Sequence, residues 1–315
     1  EVASTPRRVI EICCGKDSAM GQRTRYSENC EVIRITIDDD FTTEKGFRKA
    51  ADKVDSNTAI LISLPCTWGC PFNEINCLRS NSAKRKCMDH LYLLRKLWKN
   101  IDRLVDIALR VGAIIIQEWP RGSKCWLLVF VRRTLIRAGM RFTPVDGCMV
   151  GVKSINPKTY GAPIKKPWLI ATNSPLIAVG MMELCNGLHE HVPCQGIDTL
   201  QMQNYSDLMV ARLHILIAIH ISRGVRCFSM CMHPNIDDDD EAKIRAQRIL
   251  YDSTLQRSKR SSRRPGVVAS PCCPAIEVEL SEADLSEVEQ DMSQDCDIDS
   301  ADAASASVNR HSSIV

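Results

Sequence analysis

Leu104-Val-Asp-Ile-Ala-Leu-Arg-Val-Gly-Ala-Ile-Ile-Ile-Gln-Glu118 is the stretch that decides the fold. Its first half closes an amphipathic helix over 84–111, in which Leu91, Leu94, Leu97, Trp98, Ile101, Val105 and Ala108 recur at spacings of three and four. Gly112 ends that helix, because glycine reaches the left-handed conformation of a helix C-terminus without steric cost. Ala113 to Gln117 is then a short apolar run, which reads as a strand buried on both faces.

Working outward, the same alternation recurs. Val9 to Cys13 is an apolar run ending at Gly15, and Glu31 to Ile37 is a second, closed by Asp38-Asp-Asp40. Thr43 to Val54 reads as a helix capped by Thr43. Ala59 to Leu64 is a third run, stopped by Pro65. Cys125 to Ala138 reads as a helix, Pro167 to Thr172 as a strand, and Tyr205 to Ser222 as a last, apolar helix. Strands alternating with helices imply an α/β, Rossmann-like domain over 7–232: a mostly parallel sheet with helices on both faces. Right-handed crossovers would place every strand's C-terminal end on one rim, where ligands bind in such sheets.

Composition separates the rest. Asp237 to Glu241 is a five-acid run and Arg257 to Arg264 carries five bases among serines. Residues 233–252 therefore read as a polar linker with a short helix over 241–252, and 253–315 as a disordered tail, basic and then acidic. The basic cluster reads as a nuclear localisation signal or a nucleic-acid arm. Residues 277–315 hold 11 acids and one base; removing these from the totals of 38 and 41 leaves the remainder at +13. That charge suits a polyanion such as nucleic acid, and equally well balances the tail for solubility. No 18-residue apolar run exists, so no membrane span is expected; the most apolar stretch, Ile215 to Ile221, is interrupted by His220. No secretory signal is visible. The chain has sixteen cysteines, some inside apolar runs such as Ile12-Cys13-Cys14 and Leu64-Pro65-Cys66, which implies reduced thiols in a cytoplasmic or nuclear compartment.

The residues just past the apolar runs carry the chemistry. Gly15 would let a ligand approach the backbone after the first strand, beside Cys14. Asp38, at the end of the next, suits a ribose diol, though an ordinary turn with an exposed acid explains it as well. Without a dinucleotide glycine fingerprint, a single-nucleoside cofactor is the better expectation. Pro65 stiffens the turn that presents Cys66, a candidate nucleophile. Glu118 follows three isoleucines, where desolvation would raise its pKa and suit it to donate a proton.

Taken in order, these segments resemble the catalytic domain of DNA (cytosine-5) methyltransferases, within the class I S-adenosylmethionine-dependent methyltransferases. Glu11-Ile-Cys-Cys-Gly15 looks like the family's Asp-Leu-Phe-Cys-Gly turn, and Leu64-Pro-Cys66 like its Pro-Pro-Cys loop. Gln117-Glu-Trp119 looks like its Glu-Asn-Val segment, and Tyr160-Gly-Ala-Pro163 is similar to its Tyr-Gly-Val-Pro. The chain departs from the pattern at Lys16-Asp-Ser, at Thr67, at Trp119, and at Ile164-Lys-Lys-Pro in place of Gln-x-Arg-x-Arg; it also lacks a long target-recognition insert. The resemblance implies methyl transfer to cytosine carbon 5 in DNA, with Cys66 as nucleophile and Glu118 as acid. Glu11, Cys14, Gly15, Asp38 and Pro65 would hold S-adenosylmethionine, and Lys165 and Lys166 would contact phosphate. Segments of this look also occur in mobile-element polyproteins, so a catalytically degenerate copy that binds nucleic acid or a partner is the alternative.

A separate constellation is Cys185-x3-His189-x-His191-x2-Cys194. Two thiolates and two imidazoles suit structural zinc, and with it a zinc-stabilised nucleic-acid-binding module. The same residues also read as a polar loop with incidental histidines.

Overall fold

Strand β1 (Arg7–Ile12) lies between β2 (Cys30–Ile35) and β3 (Thr58–Ile62), pairing in parallel with both. The sheet continues through β4 (Ile114–Pro120), β6 (Pro167–Thr172) and β5 (Arg141–Asp146), in the order β2-β1-β3-β4-β6-β5. The β3–β4 pairing is parallel, while β6 runs antiparallel to both of its neighbours. The computed structural model describes residues 6–228 apart from 71, 72, 74, 78, 79, 202 and 203, so the expected linker and tail lie outside the described residues.

The apolar runs become strands because both faces of the sheet are covered. Ile10, Ile12, Ile60, Ile62 and Ile115 enter one core with α1 (Glu44–Ala51), α2 (Asn81–Val111) and α3 (Val129–Arg137). Val9, Ala59, Leu61, Ile114 and Ile116 enter the other with α4 (Pro175–Gly180) and α6 (Asp207–Ser222); a short α5 (Ile197–Gln201) precedes α6. Helix ends follow local chemistry: Ser80 caps α2 by accepting from the Ala83 N–H, and Gly112 closes it at φ 74°. Among the described residues no helix is long and apolar enough to cross a membrane.

Two features correct the expected, mostly parallel sheet. Strand β5 gives no clear strand signal because Pro144 interrupts it; its place at the sheet edge, where a missing N–H is tolerated, makes that proline harmless. The β5–β6 connection contains no α-helix, only a 3-10 turn over Gly147–Val150, and an antiparallel return needs none. The sheet is therefore mixed. Pairing with β6 also carries β4 on to Pro120, so Glu118 lies inside the strand, opposite Ile170, rather than just beyond it.

The chain leaves β1 for β2 on one side and then crosses back to β3 on the other. The connections diverge between the C-terminal ends of β1 and β3, which is where a crevice opens in a sheet of this kind.

Candidate functional site

At the end of β1 the chain turns sharply, with Cys13 at φ 62°. Hydrogen bonds from Cys13 N to the Ile35 carbonyl (2.9 Å) and from Ser63 N to the Ile12 carbonyl (3.2 Å) hold the ends of β1, β2 and β3 together. A Cβ on Gly15 would meet nothing within 4 Å, so the space above this turn is open. Across it, the exposed Lys16 ammonium pairs with Asp38 at 2.6 Å. Glu11 is buried in β1, where its carboxylate accepts from the Ser18 hydroxyl; Arg34 Nε donates in turn to Ser18 Oγ at 3.2 Å. Burial raises the Glu11 pKa, and the Ser18 contact opposes that rise. The Cys14 thiol faces the Glu11 carbonyl at 3.5 Å, and burial pushes it up to about 12.

The next loop is pinned by an indole. Trp119 Nε1 donates to the Leu64 carbonyl at 2.7 Å, directly before exposed Pro65 and half-buried Cys66. Trp119 packs at 5.6 Å from Trp98 and edge-on to Trp126 at 5.0 Å, so the loop rests on a rigid aromatic cluster. Farther along, Gly69 approaches Cys125 so closely that a Cβ would stand 2.6 Å from its nitrogen.

Cys66 feels the charge of Glu118. Burial pushes the Cys66 thiol up to about 12, Glu118 adds to the shift, and the Lys166 ammonium opposes it. Burial also raises the Glu118 pKa, against Lys166 and the Tyr205 hydroxyl. Tyr205 donates to Glu118 Oε2 at 3.2 Å and contacts the Ser63 hydroxyl, which ties the end of β3, the middle of β4 and the approach to α6 into one network. Lys166, at φ 24°, extends its ammonium over the Trp168 ring at 4.6 Å, and burial lowers its pKa while Glu118 raises it. Lys165 turns the other way, 3.9 Å from Asp146. The structure thus brings Cys66, Glu118 and Lys166 together on one rim. Tyr205 escapes sequence reasoning, since a tyrosine at the start of an apolar helix carries no signal of its own.

The second constellation assembles differently from its expected form. Cys185, His189 and His191 gather with Cys148, all four ligand atoms within 4.8 Å of one another, and the cluster could hold a metal ion. Cys194 is not a member; it lies in the field of Lys166 instead. Cys148 comes from the tight turn Gly147–Val150 after β5, and only the folding of a distant loop onto that turn makes it a partner. Nothing in the sequence distinguishes it among sixteen cysteines.

Two clefts lie elsewhere. One of about 850 Å³ is lined by residues including Arg23, Arg25, Glu28 and Glu31, and one of about 320 Å³ by residues including Asn73, Lys86 and His90; neither includes Cys66 or Glu118. No family model, curated protein or solved structure matches this chain.

Proposed function

We propose that this α/β domain transfers a methyl group from S-adenosylmethionine to a nucleic-acid base, most specifically to cytosine carbon 5 in DNA. The observation that carries the reading is the Tyr205 hydroxyl, which bonds both Glu118 Oε2 and the Ser63 hydroxyl, three residues before Cys66, beside the divergence of β1 and β3. Only β6 is reversed, second from the edge, and the other five strands keep the common direction that a doubly wound sheet needs. The rim fits the cofactor in part: the space above Gly15 is open and the Asp38 carboxylate is exposed, although Lys16 must release it to a ribose. Cys14, Gly15, Pro65 and Asp38 would hold the group, while Glu11, bonded to Ser18, shapes the turn from within.

The cofactor supplies an electrophilic methyl group, and the chain's residues prepare the base. A base flipped out of the duplex enters the crevice. The sulfur of Cys66 bonds to ring carbon 6 as its proton leaves to solvent, and the displaced ring electron pair makes carbon 5 nucleophilic. Glu118, whose pKa burial raises, would donate a proton to the ring nitrogen where negative charge develops. Loss of the carbon 5 proton then expels the sulfur. Lys166 favours the thiolate, and the body's charge, with half-buried Lys165 contributing to it, favours a phosphate backbone.

One observation favours the alternative, a catalytically degenerate copy of mobile-element origin that binds nucleic acid or a partner. Burial pushes the Cys66 thiol up to about 12, which disfavours the thiolate that would attack the base. The discriminating experiment is incubation with S-adenosylmethionine and duplex DNA carrying 5-fluorocytosine, which traps the sulfur on the base. A covalent adduct that Cys66→Ser abolishes supports methyl transfer. DNA binding without an adduct supports the degenerate reading, and neither binding nor adduct refutes both. The third reading, a zinc-stabilised nucleic-acid-binding module, draws on the Cys148 cluster.

A further inference from the structure

We infer that Cys148, Cys185, His189 and His191 form a closed, tetrahedral, structural zinc site, with Cys194 excluded from the ligand set. The inference takes up the metal half of the zinc reading alone; none of its ligands belongs to the Cys66–Glu118 rim, so it stands or falls apart from methyl transfer.

The distances carry the argument. Zinc bonds of about 2.3 Å to sulfur and 2.0–2.1 Å to nitrogen, set at the tetrahedral angle, place a sulfur and a nitrogen ligand about 3.6 Å apart. Cys185 Sγ lies 3.6 Å from His189 Nε2 and 3.5 Å from His191 Nε2, and His191 Nε2 lies 3.3 Å from Cys148 Sγ. Direct hydrogen bonds account poorly for this set. His191 Nε2 faces two sulfurs at once, yet one ring nitrogen carries at most one proton to donate. An ion at the centre satisfies all four atoms together. Both imidazoles present Nε2, and their rings meet edge-on at 4.7 Å, so the two nitrogens converge without the rings clashing.

The surroundings are those of a built site. The Gly187 N–H points at Cys185 Sγ at 3.3 Å, the contact a metal-bound thiolate accepts. The Cys185 N–H donates to Asp146 Oδ2 at 2.9 Å, and the other Asp146 oxygen takes the buried Arg121 guanidinium at 3.0 Å. Asp146 N also donates to the Glu183 carbonyl at 2.7 Å, so the end of β5 and the 183–185 segment are in register before any ion arrives. Such second contacts orient ligands and raise affinity. Four protein ligands leave no open position, which marks a structural rather than a catalytic ion. Its role is to pin the loop over 185–191 to the turn after β5. Val192 N, just beyond, donates to the Pro163 carbonyl, so the same loop braces the segment that presents Lys165 and Lys166.

The test is metal content of the purified full-length chain after reconstitution with zinc, with parallel cobalt substitution. One zinc per chain is expected, together with a tetrahedral cobalt spectrum whose charge-transfer intensity corresponds to two thiolates. Cys194→Ser should keep full occupancy, while Cys148→Ser should weaken zinc binding at least tenfold in competition with a chromophoric chelator. His189→Cys, which retains a ligand, should keep the metal and add a third thiolate to the cobalt spectrum, so a misfolded Cys148→Ser protein leaves the assignment testable. Absence of zinc from the reconstituted wild type overturns the site. Loss of zinc from Cys194→Ser but not from Cys148→Ser overturns the ligand set. Neither result depends on S-adenosylmethionine or DNA.

Discussion

Replacing Trp119 with phenylalanine separates the role of its indole from that of its bulk. The side chain is only 1% exposed, and its Nε1–H holds the Leu64 carbonyl at 2.7 Å. Removing the donor leaves that carbonyl unsatisfied, a cost of about 1–3 kcal/mol. The smaller ring also leaves a void between Trp98 and Trp126, which adds about 1 kcal/mol because the cluster collapses only in part. The total, roughly 2–4 kcal/mol, should appear as a lower urea midpoint at unchanged slope. Trp126→Phe is the matched control. It also removes a buried indole and a bond, but that bond goes to the Pro120 carbonyl at 3.0 Å and not to the Leu64 carbonyl. Both variants should lose comparable stability, whereas peptide-resolved alkylation under native conditions should show Cys66 labelling faster only in Trp119→Phe. Equal labelling of Cys66 in the two variants would refute the claim that this indole positions the loop.

Further outcomes follow from the same geometry. Gly69→Ala would force a Cβ to 2.6 Å from both Cys125 N and Ser123 Oγ, so about 1–3 kcal/mol should be lost in chemical denaturation. Gly15→Ala meets no atom and should leave the melting temperature unchanged, while calorimetry should show weaker S-adenosylmethionine binding; a large stability loss would contradict the open rim. Burial raises the Glu118 pKa above its unfolded value, so the folded state holds the proton longer and wild type loses stability as pH rises past about 4.3. Glu118→Gln should therefore gain on wild type with rising pH while abolishing the 5-fluorocytosine adduct, and parallel pH curves would disprove the desolvation. Burial lowers His220, whose Nδ1 sits 2.8 Å from Ser174 Oγ, so its stabilising contribution is complete above about pH 6.5 and is lost as pH falls through the lower folded value. His220→Gln should flatten the acid side of a stability–pH series, and an unchanged slope would rule this out.

Much of the layered architecture was legible in the chain itself. Parallel strands buried on both faces appear as unbroken apolar runs, so β1, β3 and β4 announce themselves, and α2 is written in its three-four spacing and closing Gly112. The expectation that Cys66 and Glu118 lie near one rim follows from those runs and from right-handed crossovers. Other elements are silent in one dimension. Pro144 masks β5 until its edge position is known, and the direction of β6 depends on a connection without an α-helix. The full length of β4, which takes Glu118 into the strand, depends on β6 as a partner. Tyr205 reaches Glu118 only once α6 packs against the sheet, and Cys148 replaces Cys194 only because Asp146 draws the Glu183–Cys185 segment onto the end of β5. Apolar periodicity is a local property that neighbouring residues impose on one another. The meeting of side chains far apart in sequence is set by strand register and packing, which exist only once the whole sheet has formed.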